Sequence, residues 1–173
     1  MSSKRAWSIG AAALLAVAIA IFGVGYHARQ EMRKHEVEDI LQPIAVRLED
    51  NRNIVESLKR DGLADSESAI PDTYLQRIRK DGVPKNSAMK QRIDRLVDNN
   101  TAIVTLLSTY TTRARTLEFR VAAEKYRDYA NSFRDRWQSV FEVFMAGGNL
   151  PPVGAAFPVE LAGTVSVEIA SAR

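Results

Sequence analysis

The chain has 173 residues, with 24 lysine and arginine side chains against 21 aspartate and glutamate, no cysteine and a formal net charge of +3. This length leaves room for one domain of ordinary size and one short additional segment. The two charge signs alternate along the sequence, so a basic face that binds nucleic acid is not expected. The lack of cysteine excludes disulfides, thiolate metal ligands, cysteine nucleophiles and a lipidated cysteine.

Residues 6–27 are predicted to form a transmembrane signal anchor after a short cytoplasmic N-terminus at residues 1–5. No charged residue occurs between Ala6 and Tyr26, and about 20 apolar residues span the hydrocarbon core of a bilayer. A cleaved signal peptide is the alternative. Its apolar region is usually only about 7–15 residues long, and no good small-x-small cleavage site precedes the polar sequence here, so the anchor is favoured.

A group of aromatic and basic residues is predicted to lie at the membrane interface: Trp7, Tyr26, Arg29, Arg33 and Lys34. Aromatic rings favour the boundary of the hydrocarbon core, and basic side chains meet lipid headgroups. Lysine and arginine flank both ends of the apolar run, so their count alone does not fix the orientation. Because a tiny N-terminus precedes a large domain, we expect a single-pass protein of the bacterial inner (plasma) membrane, with its N-terminus inside and its bulk periplasmic.

Residues 28–146 are predicted to be all-α, an antiparallel bundle of long, coiled-coil-like helices. Over residues 28–60 the apolar side chains recur at heptad spacing. These positions are Val37, Leu41, Ile44, Leu48, Val55 and Leu58. Pro43 lies inside the pattern, which predicts either a kink or a new helix with Pro43 in its first turn. The connection at residues 61–86 is rich in glycine and proline, so it holds at most one short helix, near Thr73 to Lys80.

A second heptad follows the candidate N-cap Ser87. Its positions are Ile93, Leu96, Asn100, Ile103, Leu107, Tyr110, Ala114, Leu117 and Val121. The stretch up to Ala146 would reach about 90 Å as one helix, whereas the first helix offers only about 50 Å to pack against. β-Branched threonines around Thr111 are weak helix formers, so a bend is predicted there. Gly147 and Gly148 are expected to end the last helix.

Two sets of residues in this domain are candidate functional features. Asn51 and Asn100 occupy core positions of their heptads, where paired buried asparagines can fix register; the alternative places them at a wet edge. An aromatic series in the last helix is mostly expected in the core but is also the candidate partner or ligand face, because such rings anchor interfaces. Its members are Tyr126, Tyr129, Phe133, Trp137 and Phe141.

The tail at residues 147–173 differs in composition, with three prolines and no lysine. Its end alternates with period two, which is typical of a strand. A lone strand is not stable by itself, so the tail is predicted to be irregular or to add to the sheet of a partner. The candidate strand residues are Val165, Val167 and Ile169.

Part of the chain resembles the LemA family of membrane-anchored helical proteins. The resemblance covers about a third of the chain: Tyr26, the stretches VEDILQPIAVRL at 37–48 and NRNIVESL at 51–58, and the spacing of Phe119, Tyr126 and Phe133. Glu56 departs from it, since the family motif has proline there, and the middle of the chain is shortened. The resemblance implies a helical fold and a membrane location, and it brings no catalytic activity.

No phosphate loop, nucleophile elbow, zinc motif or paired-carboxylate signature occurs, so no catalytic, cofactor-binding or metal-binding residue is assigned. His27 and His35 lack the further ligands that a metal site needs. We expect a non-catalytic interaction or scaffold protein that contacts the lipid bilayer and an unidentified envelope protein or a second copy of itself. One alternative is a ligand-sensing bundle acting through a partner subunit. A phage-type lysis (spanin-like) subunit is the other.

Overall fold

The computed structural model describes residues 27–62, 66–83 and 87–172. Within these ranges the chain is helical, with no strand, so the prediction of an all-α protein is confirmed. Its α-helices are α1 (Gln42–Arg60), α2 (Ile70–Asp81), α3 (Ala88–Tyr110), α4 (Leu117–Ala146) and α5 (Glu160–Ser171). Residues 27–36 are also helical and lead into α1 through a π-helical turn, and a 3-10 turn precedes α2.

The predicted anchor lies outside the described residues as far as Tyr26, and so do Trp7 and the N-terminus at residues 1–5. Within the described ranges, no helix is both long enough and apolar enough to cross a membrane.

Pro43 lies in the first turn of α1, yet the helix before it is not interrupted. The π-helical turn at Val37–Leu41 comes directly before α1, and the Gln42 N–H donates to the Val37 carbonyl, five residues back. A proline clashes with the carbonyl four residues before it and has no N–H to donate, so regular α-helical hydrogen bonds cannot continue unchanged through Pro43. The sequence predicted either a kink or a new start, and the structure has a new α-helix that begins without a gap.

The helices α1 and α3 run antiparallel. Ser57 accepts a hydrogen bond from Arg92 at 2.9 Å, and further back along α1 the Asn51 amide donates to Asn100 at 2.6 Å. As the residue number increases along α1, the number of its bonded partner on α3 decreases. Apolar heptad side chains fill the interface between them: Ile44, Leu58, Ile93, Leu96, Ile103 and Leu107, each fully buried.

The long second stretch breaks where the threonines predicted it would. The helix α3 ends at Tyr110 and α4 begins after Thr116, whose hydroxyl accepts a hydrogen bond from the Phe119 N–H at 3.3 Å. The break changes the helical phase, so two residues at the end of the predicted heptad, Leu117 and Val121, are 67% and 43% exposed.

The C-terminal cap of α4 is also confirmed. Gly147 has φ 73° and its N–H bonds Phe144, while the Gly148 N–H bonds the Val143 carbonyl at 3.1 Å. This pair of bonds is a Schellman motif, and its left-handed position suits glycine because there is no Cβ. The helix therefore stops where the sequence first permits this conformation.

The tail is the main correction to the predicted fold. Residues 148–158 form no helix or strand, as predicted for an irregular tail, but residues 160–171 form α5, so the prediction of a strand with Val165, Val167 and Ile169 is wrong. Val165 is fully buried, Val167 is 57% exposed and Ile169 is partly buried. The period-two alternation is real, but Leu161, Val165 and Glu168 also recur at helical spacing. Packing of that face against α4 overrides the β propensity of the valines.

Glu168 attaches α5 to the turn between α3 and α4. Its carboxylate is buried and accepts from the Thr116 hydroxyl at 2.8 Å, the Thr116 N–H at 3.0 Å and the Tyr110 hydroxyl at 2.9 Å. Burial alone would raise the pKa of Glu168, but these hydrogen bonds outweigh it and the pKa lies below its usual value. The carboxylate thus stays charged and holds the two parts of the fold together.

Val165 and Val167 differ in burial because they lie on a helix, and their substitution by alanine tests the helical assignment of α5. We expect Val165→Ala to lower the free energy of unfolding by about 2 kcal/mol, because it leaves a cavity in the core. Val167→Ala should change it by less than about 0.5 kcal/mol or raise it slightly, because alanine is the better helix former on an exposed face. Urea unfolding of the purified full-length protein measures both changes. Equal losses at the two positions would contradict the helical assignment.

Candidate functional site

The predicted polar layer in the core is present. Asn51 and Asn100 are each 1% exposed, and the Asn51 amide donates to the Asn100 carbonyl oxygen at 2.6 Å. Asn99, at the edge of α3, donates to Asn51 at 2.9 Å. The Asn100 amide nitrogen is buried and makes no hydrogen bond to the described residues. The heptad therefore placed both asparagines correctly, in the core and not at a wet edge.

Two tyrosines of α4 extend this polar layer by hydrogen bonds, one to Asn100 and one to Glu67 in the turn before α2. The Tyr126 hydroxyl donates to the Asn100 carbonyl oxygen at 2.6 Å, and the Tyr129 hydroxyl donates to the Glu67 carboxyl. Glu67 lies in the 3-10 turn Glu67–Ala69 and is only 8% exposed. The buried polar cluster thus consists of Asn51, Asn100, Tyr126, Tyr129 and Glu67.

Burial raises the pKa of Glu67 from 4.5 to about 7. Removal of a carboxylate from water disfavours its charged form. The hydrogen bond from Tyr129, the side chain of Asn100 and the charge of Lys59 act in the opposite direction but do not cancel it. Burial also raises the pKa values of Tyr126 and Tyr129 well above their usual value, so these hydroxyls stay neutral donors. Glu67 is therefore the member of the cluster that titrates near neutral pH.

Glu67 also lines a cleft of about 610 Å³ between α1 and α5. The apolar part of its lining comes from one face of α1, from the loop before α5 and from α5 itself: Ala45, Leu48, Val55, Phe157, Pro158 and Ala162. Phe157 packs edge-on against Tyr129, with 5.2 Å between the ring centroids, which connects the cleft wall to the buried cluster. The volume lies in the ordinary range for small-molecule sites.

The rim of the cleft carries two ion pairs within α1. Arg52 bonds Glu49 at 2.6 Å, and Lys59 bonds Glu56 at 3.2 Å. All four side chains are well exposed, so each pair contributes little to stability. Their charges balance, which leaves Glu67 as the one acid without an ion pair among the described residues that line the cleft.

Arg136 of α4 holds the two loops next to the cleft. Its guanidinium is 4% exposed and donates to the Ser68 carbonyl at 2.8 Å, to the Pro151 carbonyl at 2.9 Å and to the Asp72 carboxylate. One side chain thus fixes the turn that carries Glu67 and the loop that leads to Phe157. Neither Glu67 nor Arg136 is marked as a site residue by the sequence, because a glutamate in a turn and an arginine in a helix are typical of surfaces.

The aromatic series does not form an exposed face. Tyr126, Tyr129, Phe133 and Trp137 are at most 6% exposed, and Phe141 is partly buried. Trp137 packs edge-on against Tyr74 with 4.9 Å between the centroids and donates to Asp94 at 2.9 Å. The expectation that most of the series is core is confirmed, and the candidate partner face is corrected, because this side of α4 packs against α2 and α3.

The remaining predicted residues do not line this cleft. Arg29, Arg33 and Lys34 are exposed on the helical residues 27–36, and their contact with headgroups stays a prediction. His35 pairs with Asp39 at 3.6 Å on the surface. Among the described residues, no group of three or more histidine, aspartate or glutamate side chains could hold a metal ion.

The fold and the site together define an all-α protein with a buried polar cluster that opens on an apolar cleft. No family model, curated protein or solved structure matches the chain. The resemblance to the LemA family therefore stays a prediction.

The raised pKa of Glu67 predicts a specific pH dependence of stability. The folded protein holds a proton there that the unfolded chain releases above pH 4.5, so stability present below pH 4.5 is lost as the pH rises through 7. A shift from 4.5 to about 7 corresponds to a loss of about 3 kcal/mol. We expect Glu67→Gln, which keeps the bond from Tyr129, to remove this slope.

Urea unfolding of the full-length protein and of Glu67→Gln between pH 5 and pH 8 measures the difference. The variant serves as the reference for every other titrating group. Parallel pH profiles for the two proteins would contradict a buried, protonated Glu67.

Proposed function

We propose that the chain is a membrane-tethered helical protein of the bacterial envelope that binds a small ligand without catalysing a reaction. The observation that carries this proposal is the cleft between α1 and α5, with an apolar wall and the buried acid Glu67 at its lining. An apolar cavity with a few convergent polar groups and a titrating residue of shifted pKa is the usual form of a binding site.

The ligand would act through a partner subunit. We propose that the anchor at residues 6–27 places the helical domain in the periplasm as an antiparallel bundle, with Arg29, Arg33 and Lys34 near the lipid headgroups. The exposed position of these three basic side chains supports this part of the proposal.

A scaffold function is the second candidate, in which the domain contacts another envelope protein or a second copy of itself. Leu117 and Val121 favour it, since both are exposed on one face of α4. The two surfaces expected from the sequence offer it less support, because the aromatic series is buried and the tail is folded as α5. A lysis subunit is disfavoured, because an extended rod would not fold α3 back along α1.

Two alanines of α5 provide a matched test of ligand binding. Ala162 lines the cleft and Ala170 does not, and both are exposed. We expect hexylamine, hexanoate, hexanol or indole to raise the melting temperature of the full-length protein by about 3 °C at ten times the dissociation constant. Ala162→Trp should abolish this shift by filling the cleft, and Ala170→Trp should leave it intact. No shift with any probe, or the same shift in both variants, would contradict binding in the cleft.

The proposed topology is tested by labelling single cysteines, since the natural chain has none. Ala170 is exposed on α5, and Ser3 belongs to the predicted cytoplasmic N-terminus. We expect a membrane-impermeant maleimide to label Ala170→Cys in intact spheroplasts and to label Ser3→Cys only after lysis. The reverse pattern would show that the domain faces the cytoplasm.

A further inference from the structure

The charges that line the cleft between α1 and α5 indicate which chemical class of ligand it suits. The cationic side chains of the lining, Arg52 and Lys59, are each bound to a neighbouring glutamate on the same helix. Glu67 forms no ion pair with either of them, although the charge of Lys59 acts on it, and the hydrogen bond from Tyr129 satisfies only part of a carboxylate. When Glu67 is ionised, the described residues of the lining therefore carry one net negative charge.

A ligand without positive charge fits this arrangement poorly. An anionic ligand would face Glu67 and would have to break the ion pairs of the rim to gain a partner. A neutral apolar ligand would exclude water from Glu67 and so increase the cost of its charge. A cation removes that cost, because a charge-assisted hydrogen bond to a carboxylate in an apolar setting is stronger than a neutral one.

We propose that the cleft binds an organic cation, a primary or secondary ammonium group attached to an apolar body. The ammonium contacts the Glu67 carboxylate, and the apolar body lies against Leu48, Val55 and Phe157. The aromatic ring of Phe157 adds a surface that attracts cations. This assignment rests on the proposed ligand-binding function and names the ligand class for that same cleft.

Proton release accompanies such binding. Glu67 must lose its proton to hold the ammonium, and its pKa of about 7 lies close to the pH of most compartments. The groups that face it are Lys59 on α1, Asn100 on α3, and Tyr126 and Tyr129 on α4; the two tyrosine hydroxyls stay neutral, since their pKa values are raised. The affinity for the cation is therefore expected to rise with pH below 7 and to level off above it.

Hexylamine, hexanoate and hexanol test the assignment, because they share one apolar body and differ in charge. Binding to the full-length protein is followed by NMR of alanine methyl groups, since Ala45 and Ala162 line the cleft. At pH 7.5 we expect hexylamine to bind at least tenfold more tightly than the other two. Its affinity should fall about tenfold from pH 6.5 to pH 5.5.

Three variants locate the charge that is responsible. Glu67→Gln should weaken hexylamine at least tenfold and remove the pH dependence, whereas Glu67→Asp should keep the pH dependence. Glu142→Gln is the control, because Glu142 is exposed on α4 and does not line the cleft, and it should change the affinity less than threefold. Urea unfolding of each variant shows whether it is folded.

The outcomes separate the ligand class from the binding function. Hexanol or hexanoate binding at the two alanines as tightly as hexylamine would overturn the assignment of a cation and leave the cleft as a binding site. Hexylamine binding that is unchanged in a folded Glu67→Gln variant would overturn the role of Glu67. If none of the three compounds perturbs the two methyl groups, the assignment is overturned, and the thermal shifts of Ala162→Trp and Ala170→Trp with indole decide the binding function separately.

Discussion

The hydrogen bond between Asn51 and Asn100 sets the register on which the rest of the fold depends. Apolar heptad side chains pack almost equally well after a slip of one heptad, so they do not fix the alignment of α1 and α3 alone. A slip would leave the Asn51 amide nitrogen and the Asn100 carbonyl oxygen unpaired in the core, and a buried unpaired polar group costs on the order of 1–3 kcal/mol. Tyr126 extends the same constraint to α4 through its bond to Asn100. Three helices are thus aligned by polar contacts of only a few side chains.

The position of the cleft follows from this alignment and from one arginine. With α4 in register, Tyr129 meets Glu67, and Arg136, seven residues further along α4, meets the carbonyl of Ser68. The same guanidinium binds Pro151 and so holds the start of the loop that supplies Phe157. A single α4 face therefore places both the acid and the aromatic wall of the cleft. The site is built by contacts between distant segments and not by any local motif.

The outcome at particular residues shows what the sequence could and could not predict. Helix ends were predictable where a local signal exists, as at Ser87 and Gly147, because a cap needs only its neighbours. The helix at 160–171 was not, because two periodicities coexist in it and the buried face of α4 decides between them. Glu67 was missed because burial of an acid depends on Tyr129, 62 residues away in the chain. Local chemistry predicts the elements, whereas the site arises from their assembly.

The π-helical turn at Val37–Leu41 determines the direction in which the side chains of residues 27–36 point. A π turn holds one residue more than an α turn, and each residue of a helix rotates the chain by about 100°. The azimuth of residues 27–36 about the helix axis is thus set by a single inserted residue. The wider turn lies directly before the helix that carries Pro43 in its first turn, and it changes the direction of the basic side chains of this segment. The local geometry of one helical turn therefore determines the direction of the charged side chains on residues 27–36.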